Sequence, residues 1–208
     1  MPTLTLQPGG AAGLDTHIIS DLPTTNNATT ANASVGEHNA IAGRVERTLI
    51  KFDLSSLPSD TLVTAANLTL TITSDQSDNA RTANVFECLR AWVEAQATWN
   101  IWKTSNNWTT AGAGSAGNDY VNTALASASY TASETVPSEK VYTFNAAGLA
   151  WIQAVAAGTQ TNNGWIIRMQ TELNDGYGHG TSDHATPSSR PKLIVEYTQG
   201  GAFFTLLL

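Results

Sequence analysis

Two runs of strict period-two alternation constrain this chain more than any other feature. In Leu49-Ile50-Lys51-Phe52-Asp53-Leu54 the apolar Ile50, Phe52 and Leu54 alternate with Lys51 and Asp53, the period of a strand with one face in a core and one in water. In Asn67-Leu68-Thr69-Leu70-Thr71-Ile72-Thr73 the large aliphatic residues alternate with asparagine and threonine, and β-branched threonine favours the extended chain. Pro58 cannot donate to a ladder, so pairing is expected to stop there, with Ser59-Asp60 turning the chain into the second run. Together the two strands are expected to form the spine of an antiparallel sandwich.

Weaker alternation marks further strands. Leu4 and Leu6 precede the Pro8-Gly9-Gly10 turn; short strands follow at Asp15 to Ile19, Ala83 to Leu89 and Val141 to Phe144; and Trp165, Ile167 and Met169, then Leu193, Val195 and Tyr197, alternate near the end. Asn145 is a helix N-cap, Leu149, Ile152 and Val155 or Ala156 lie along one side of the following residues, and Gly158 supplies a stop, predicting one short helix over about 146–157. Three stretches have no period: Leu22 to Gly43, a Gly- and Ser-rich insertion from Ile101 to Lys140, and Asn174 to Ser189. They read as loops. The whole is all-β in class, one domain over 1–199, followed by a tail over 200–208 on the hinge Gly200-Gly201.

The 208 residues are 41% hydrophobic and only 13% charged, with net charge -7, which is a folded chain and not a disordered one. Ten basic residues scattered singly give no electrostatic footprint for nucleic acid or an anionic membrane. One cysteine, Cys88, cannot pair within the chain and reads as a small buried hydrophobe. The first residues show no cationic region followed by an apolar run, so no secretory leader is expected.

At Trp92-Val93-Glu94-Ala95-Gln96-Ala97-Thr98-Trp99-Asn100 the chain resembles the W-x-E-x-x-x-T-W-N signature of the DNRLRE domain, a β-sandwich family related to carbohydrate-binding modules. The likeness extends, in the family's order, over Asp15-Thr16, Arg47 to Pro58, Ala66 to Leu70, Phe144 to Trp151, Asn163-Gly164-Trp165 and Arg190 to Tyr197. It implies an antiparallel jelly-roll-like β-sandwich, one module among several in extracellular or cell-surface proteins. It also places Trp92, Trp99, Trp151 and Trp165 in the core.

Candidate site residues come from the aperiodic stretches. Trp102, Trp108, Tyr120 and Tyr177 are loop aromatics of the kind that stack on the apolar faces of sugar rings, or that anchor a long loop on its own sheet. Asp175, His179, Asp183 and His184 bring two carboxylates and two imidazoles into one Gly-rich loop. Their spacing matches no zinc motif, and calcium held by Asp side chains and loop carbonyls, with Asp75 and Asp78 as a fainter pair, is the better metal reading. No cofactor is otherwise indicated. The glutamates are dispersed, no nucleophile elbow or phosphate loop occurs, and Cys88 has no evident partner base, so no enzyme is expected.

The tail Ala202-Phe203-Phe204-Thr205-Leu206-Leu207-Leu208 is uncharged, proline-free and apolar, a run that pairs with any edge it meets. Phe203, Phe204, Leu206, Leu207 and Leu208 are read as an assembly arm that docks on a neighbouring subunit, with homo-oligomers or other particle subunits as partners. A lone surface-type module without a leader fits a structural protein on a virus particle. That particle would be a bacteriophage, with the module a capsid decoration or tail-associated and glycans as its ligand class. The alternative is a free-standing, extracellular carbohydrate-binding module.

Overall fold

The computed structural model describes residues 1–199, so the apolar tail from Phe203 to Leu208 lies outside the described residues. The strands are β1 Thr3–Leu6, β2 Leu14–Ile19, β3 Asn32–Glu37, β4 Val45–Lys51, β5 Thr61–Gln76, β6 Arg81–Cys88, β7 Ile101–Lys103, β8 Asn106–Asn107, β9 Tyr120–Tyr130, β10 Ser138–Phe144, β11 Trp165–Met169, β12 Gly176–Gly180 and β13 Lys192–Gln199, with one α-helix, α1, at Ala146–Ala156. All pairings between these strands are antiparallel. The all-β reading therefore holds.

Pairing runs β5, β10, β9, β6, β11, β4, β3, β12 and returns to β5, a closed circuit of eight strands. Closure leaves those strands without free edges. β5 makes it possible by its length: its residues Thr61 to Thr69 pair with β13, and its far end, Ile72 to Gln76, pairs with β12. β1 extends the sheet beyond β13, and β2 lines β4.

Inside the circuit lie Leu68, Leu70 and Ile72 of β5, Ile50 of β4 and Trp165, Ile167 and Met169 of β11, as their alternation requires. Asn145 caps α1, its Oδ1 accepting from Gly148 N at 3.0 Å, and Trp151 and Ile152 plug one end of the core against Trp165. Ile18, Leu49, Cys88 and Ile166 point the other way, into a second cluster roofed by the segment from Trp92 to Ala113. In that roof Trp92 Nε1 donates to the Asn163 carbonyl at 2.8 Å, Glu94 Oε1 accepts from Asp15 N at 2.8 Å, and the Arg47 guanidinium lies 5.0 Å from the Trp99 ring. Trp92 and Trp99 are thus half-buried packing residues, while Trp151 and Trp165 belong to the main core.

Four expectations need correction. β4 ends at Lys51, short of Pro58, because Asp53 Oδ1 accepts from Ser55 N and turns the chain. β4 and β5 are not neighbours, since β2, β3 and β11 take the edges of β4. The insertion over 101–140 is no loop: its β9 is an 11-residue strand between β6 and β10, built from the low-contrast alternation Ala124-Leu125-Ala126-Ser127-Ala128-Ser129. The other two aperiodic stretches likewise contain β3 and β12, which pair with each other.

β12 closes the circuit, and one carboxylate fixes its start. Asp175 is fully buried; its Oδ1 accepts from Ser77 Oγ at 2.8 Å, Asp78 N at 2.9 Å and Asn79 N at 3.0 Å, and Arg81 pairs with its Oδ2. Burial raises this carboxyl, but the donors around it outweigh burial and hold it below the usual carboxylate range. Asp175→Asn leaves the Arg81 charge uncompensated and replaces an acceptor by a donor, so it is expected to cost about 3 kcal/mol in urea unfolding. A loss under about 0.5 kcal/mol, the size of an ordinary surface change, contradicts this role.

Candidate functional site

β12 reads Gly176-Tyr177-Gly178-His179-Gly180, and its side chains are all on one face. Tyr177 points into the core, its OH within 2.7 Å of Ser77 Oγ and 2.8 Å of the Thr131 carbonyl. His179 stands 2.9 Å from Thr48 Oγ1. The opposite face is bare, and a Cβ on Gly178 would strike the Ser74 hydroxyl. Here the surface sinks into an open depression of about 380 Å³, floored at Gly178 and ringed by groups from β2, β3, β4 and the end of β5.

His17 and Glu46 form its buried wall, only 9% and 5% exposed. They face each other because Ile19 of β2 pairs with Glu46 of β4, which puts His17 diagonally across from it. Glu46 Oε2 lies 3.6 Å from His17 Nδ1. Ser34 N donates to that same Nδ1 at 3.2 Å, so the ring proton sits on Nε2. Burial lowers His17 to about 4 and burial raises the Glu46 carboxyl. At the rim Arg44 grips Asp21 with two nitrogens at 2.8 and 2.9 Å, so its charge is already answered. Gln76 Oε1 is buried beside the depression and has no hydrogen-bond partner among the described residues.

The set offers both hydrogen-bond donors and acceptors to the depression. Glu46 is the one carboxylate in its lining. Beside His17, Ser34 gives its backbone N–H to Nδ1, and its side chain, with that of Ser74, also lines the depression.

The residues singled out from sequence lie elsewhere. Trp108, Tyr120 and Tyr177 are 4%, 8% and 1% exposed, so none presents a ring face to a sugar, and their expected exposure is corrected. Trp108 Nε1 donates to the Thr98 carbonyl at 2.9 Å, and Tyr120 packs on Phe86 beneath the Arg168 guanidinium. Trp102 is half-buried, with Lys103 Nζ 4.6 Å from its ring centre. Asp175 and His179 are spent as described, and Asp183 and His184 are half-buried. Asp75 Oδ2 accepts from Glu134 N at 2.7 Å, and Asp78 offers Asp175 its backbone N–H. Among the described residues no three His, Cys, Asp or Glu side chains gather to hold a metal ion. Cys88 is buried, and burial pushes its thiol up to about 12, as an inert hydrophobe requires.

His17 and Glu46 escaped the sequence reading because the depression joins strands from residue 17 to residue 178. The available signal was the alternation of three glycines in 176–180, which marks a strand with one bare face.

A family model described as the disaggregatase related repeat domain matches residues 15–195, from β2 to β13. The chain belongs to that family. No curated protein matches the chain. The match spans the whole closed circuit and both walls of the depression, so the site is built within the family's domain.

Asp15, two residues before His17, supplies a titration test. Burial, despite hydrogen bonds from Ser182 N at 2.8 Å and Oγ at 3.2 Å, raises its carboxyl to about 7. A raised folded pKa means the protonated form is the stabilising one, so its contribution is full below the ordinary aspartate value of 3.8 and is lost as pH rises toward 7. Relative to Asp15→Asn, the wild type is expected to lose about 1.4 kcal/mol per pH unit across that window in urea melts. Parallel stability profiles for the two proteins contradict it.

Proposed function

We propose that this chain is a non-catalytic β-module displayed on the outside of an assembly, where it builds and adheres and carries out no chemistry. The observation that carries this reading is how the buried charges are used. Asp175 fastens β12 to the turn after β5; Asp119 accepts from Thr109 N, Thr110 N and Ser115 N and holds the roof; and Arg47 bridges Glu172 and the Gly112 carbonyl. Each fixes a connection between elements, and the depression then holds one carboxylate without a second.

The family's description as a repeat domain supports a unit used in series, as does the resemblance of Trp92 to Asn100 to the DNRLRE signature. We read the closed circuit as a jelly-roll-like sandwich pressed flat around Trp165, Tyr142 and Tyr177. The setting we favour for such a unit is a virus particle, as a bacteriophage capsid decoration or tail-associated protein. An extracellular carbohydrate-binding module is the second reading, favoured by the polar depression beside Gly178.

The reading is tested by incubating the purified chain with neutral and acidic polysaccharides and with aryl glycosides of the common sugars. Neither new reducing ends nor released aglycone is expected. Release that disappears in Glu46→Gln makes the chain an enzyme and overturns the proposal.

A further inference from the structure

The depression above Gly178 joins features that a solvated sheet face does not need together. His17 and Glu46 are polar, more than nine-tenths buried, and open onto the depression. Both are disfavoured as ions at their positions by burial. Desolvating such groups is costly unless they find partners. Gln76 Oε1 adds a shielded acceptor with no partner among the described residues, a deficit of about 1–3 kcal/mol that a donor would relieve. The floor is a glycine inside a strand, a place where a bound molecule can approach the backbone.

The chemistry of the lining selects the occupant. Apart from the imidazoles of His17 and His38, no aromatic ring lines the depression, so it lacks the broad indole or phenol face on which a nucleobase or an aromatic amine stacks best. Arg44 is held by Asp21, and the His38 imidazole is the other basic group at the rim, so a phosphate or sulfate would meet the Glu46 carboxyl with no unpaired guanidinium or ammonium to hold it, on a chain of net charge -7. β12 is paired on both edges, with β3 and with β5, so its backbone cannot accept an added peptide strand. What remains is a neutral ring carrying several hydroxyls. His17 Nε2–H donates, Glu46 accepts, Ser34 and Ser74 hydroxyls do both, and Gln76 brings an amide whose shielded Oε1 a ligand reaches once that side chain turns toward it. Ile19 supplies one apolar contact for a ring's C–H face. About 380 Å³ lies at the small end of ligand pockets, the size of one or two sugar rings and not of an extended polymer.

The geometry points to this depression as a binding site for a single neutral sugar unit, held between His17, Glu46 and Gln76 over the Gly178 floor. The inference deepens the display reading by giving the module something to hold, and it rests on that reading only in taking the sugar as bound and not cleaved.

The test uses the full chain, 15N-labelled, titrated with the methyl glycosides of glucose, galactose, mannose, xylose, fucose and N-acetylglucosamine. At least one is expected to shift the Ser34, Ser74 and Gly178 amides saturably. Gln76→Leu, at a half-buried position, and Glu46→Gln, each first shown to keep the wild-type amide spectrum away from the depression, are expected to weaken that binding about tenfold or more, the loss of one good hydrogen bond to a ligand. Trp102→Ala leaves it unchanged. Failure of all six sugars to move those amides overturns the inference, as do shifts confined to the Trp102 hairpin or shifts untouched by both substitutions. None of these failures bears on the display reading, whereas binding accompanied by release of methanol supports the pocket and refutes the display reading.

Discussion

A circuit of strands exists only if its last pairing is made, and in this chain that pairing belongs to β12. Five residues, three of them glycine, must lie between β3 and the far end of β5. Glycine is the residue least inclined to be ordered in a strand. What holds β12 in place is therefore outside its own propensity: the Asp175 carboxylate at its start, and Tyr177 and His179 sunk into the core behind it. Gly36, across the ladder from Gly176, has φ of +106°, and a Cβ there would meet the Asp175 carbonyl. The approach of β3 to β12 thus depends on glycine from both sides.

The same bareness produces the site. A strand with side chains on one face seals the core with that face and leaves its outer surface lower than its neighbours. His17 and Glu46, carried on β2 and β4, stand beside that hollow because β3 pairs with β4 only at Gly36–Glu46 and Glu37–Val45 before it leaves for β12. Closure of the fold and formation of the depression are consequences of one arrangement. The second cluster serves the other side, where Arg47 lies over Trp99 and reaches both Glu172 and Gly112, fastening the roof to β4.

The legible parts of the fold were those where hydropathy alternates with contrast. Leu68, Leu70 and Ile72, then Trp165, Ile167 and Met169, then Leu193 and Val195 all face the core as their spacing requires, and Asn145 caps the helix as its position requires. Strands made of Gly, Ala, Ser and Asn were not legible. In β9 the alternation is alanine against serine, and in β12 it is glycine against everything, so side-chain hydropathy carries little information and backbone pairing decides. The aromatics misled for the same reason: Tyr177 looks exposed when its neighbours are glycines, yet those glycines are what let the strand press inward. The depression was illegible because it has no local signature, being assembled from strands that meet only when the circuit closes.

The circuit and the depression both depend on β12 being a true closing strand and not a loop lying across a gap. Native-state hydrogen exchange measures this residue by residue. If β12 pairs on both edges, the amides of Tyr177, Gly178 and His179 exchange as slowly as those of Leu68 and Leu70 in β5. Exchange of the three at the rate of the exposed turn at 39–43, while β5 stays protected, would mean the circuit is open and would remove the floor from the depression.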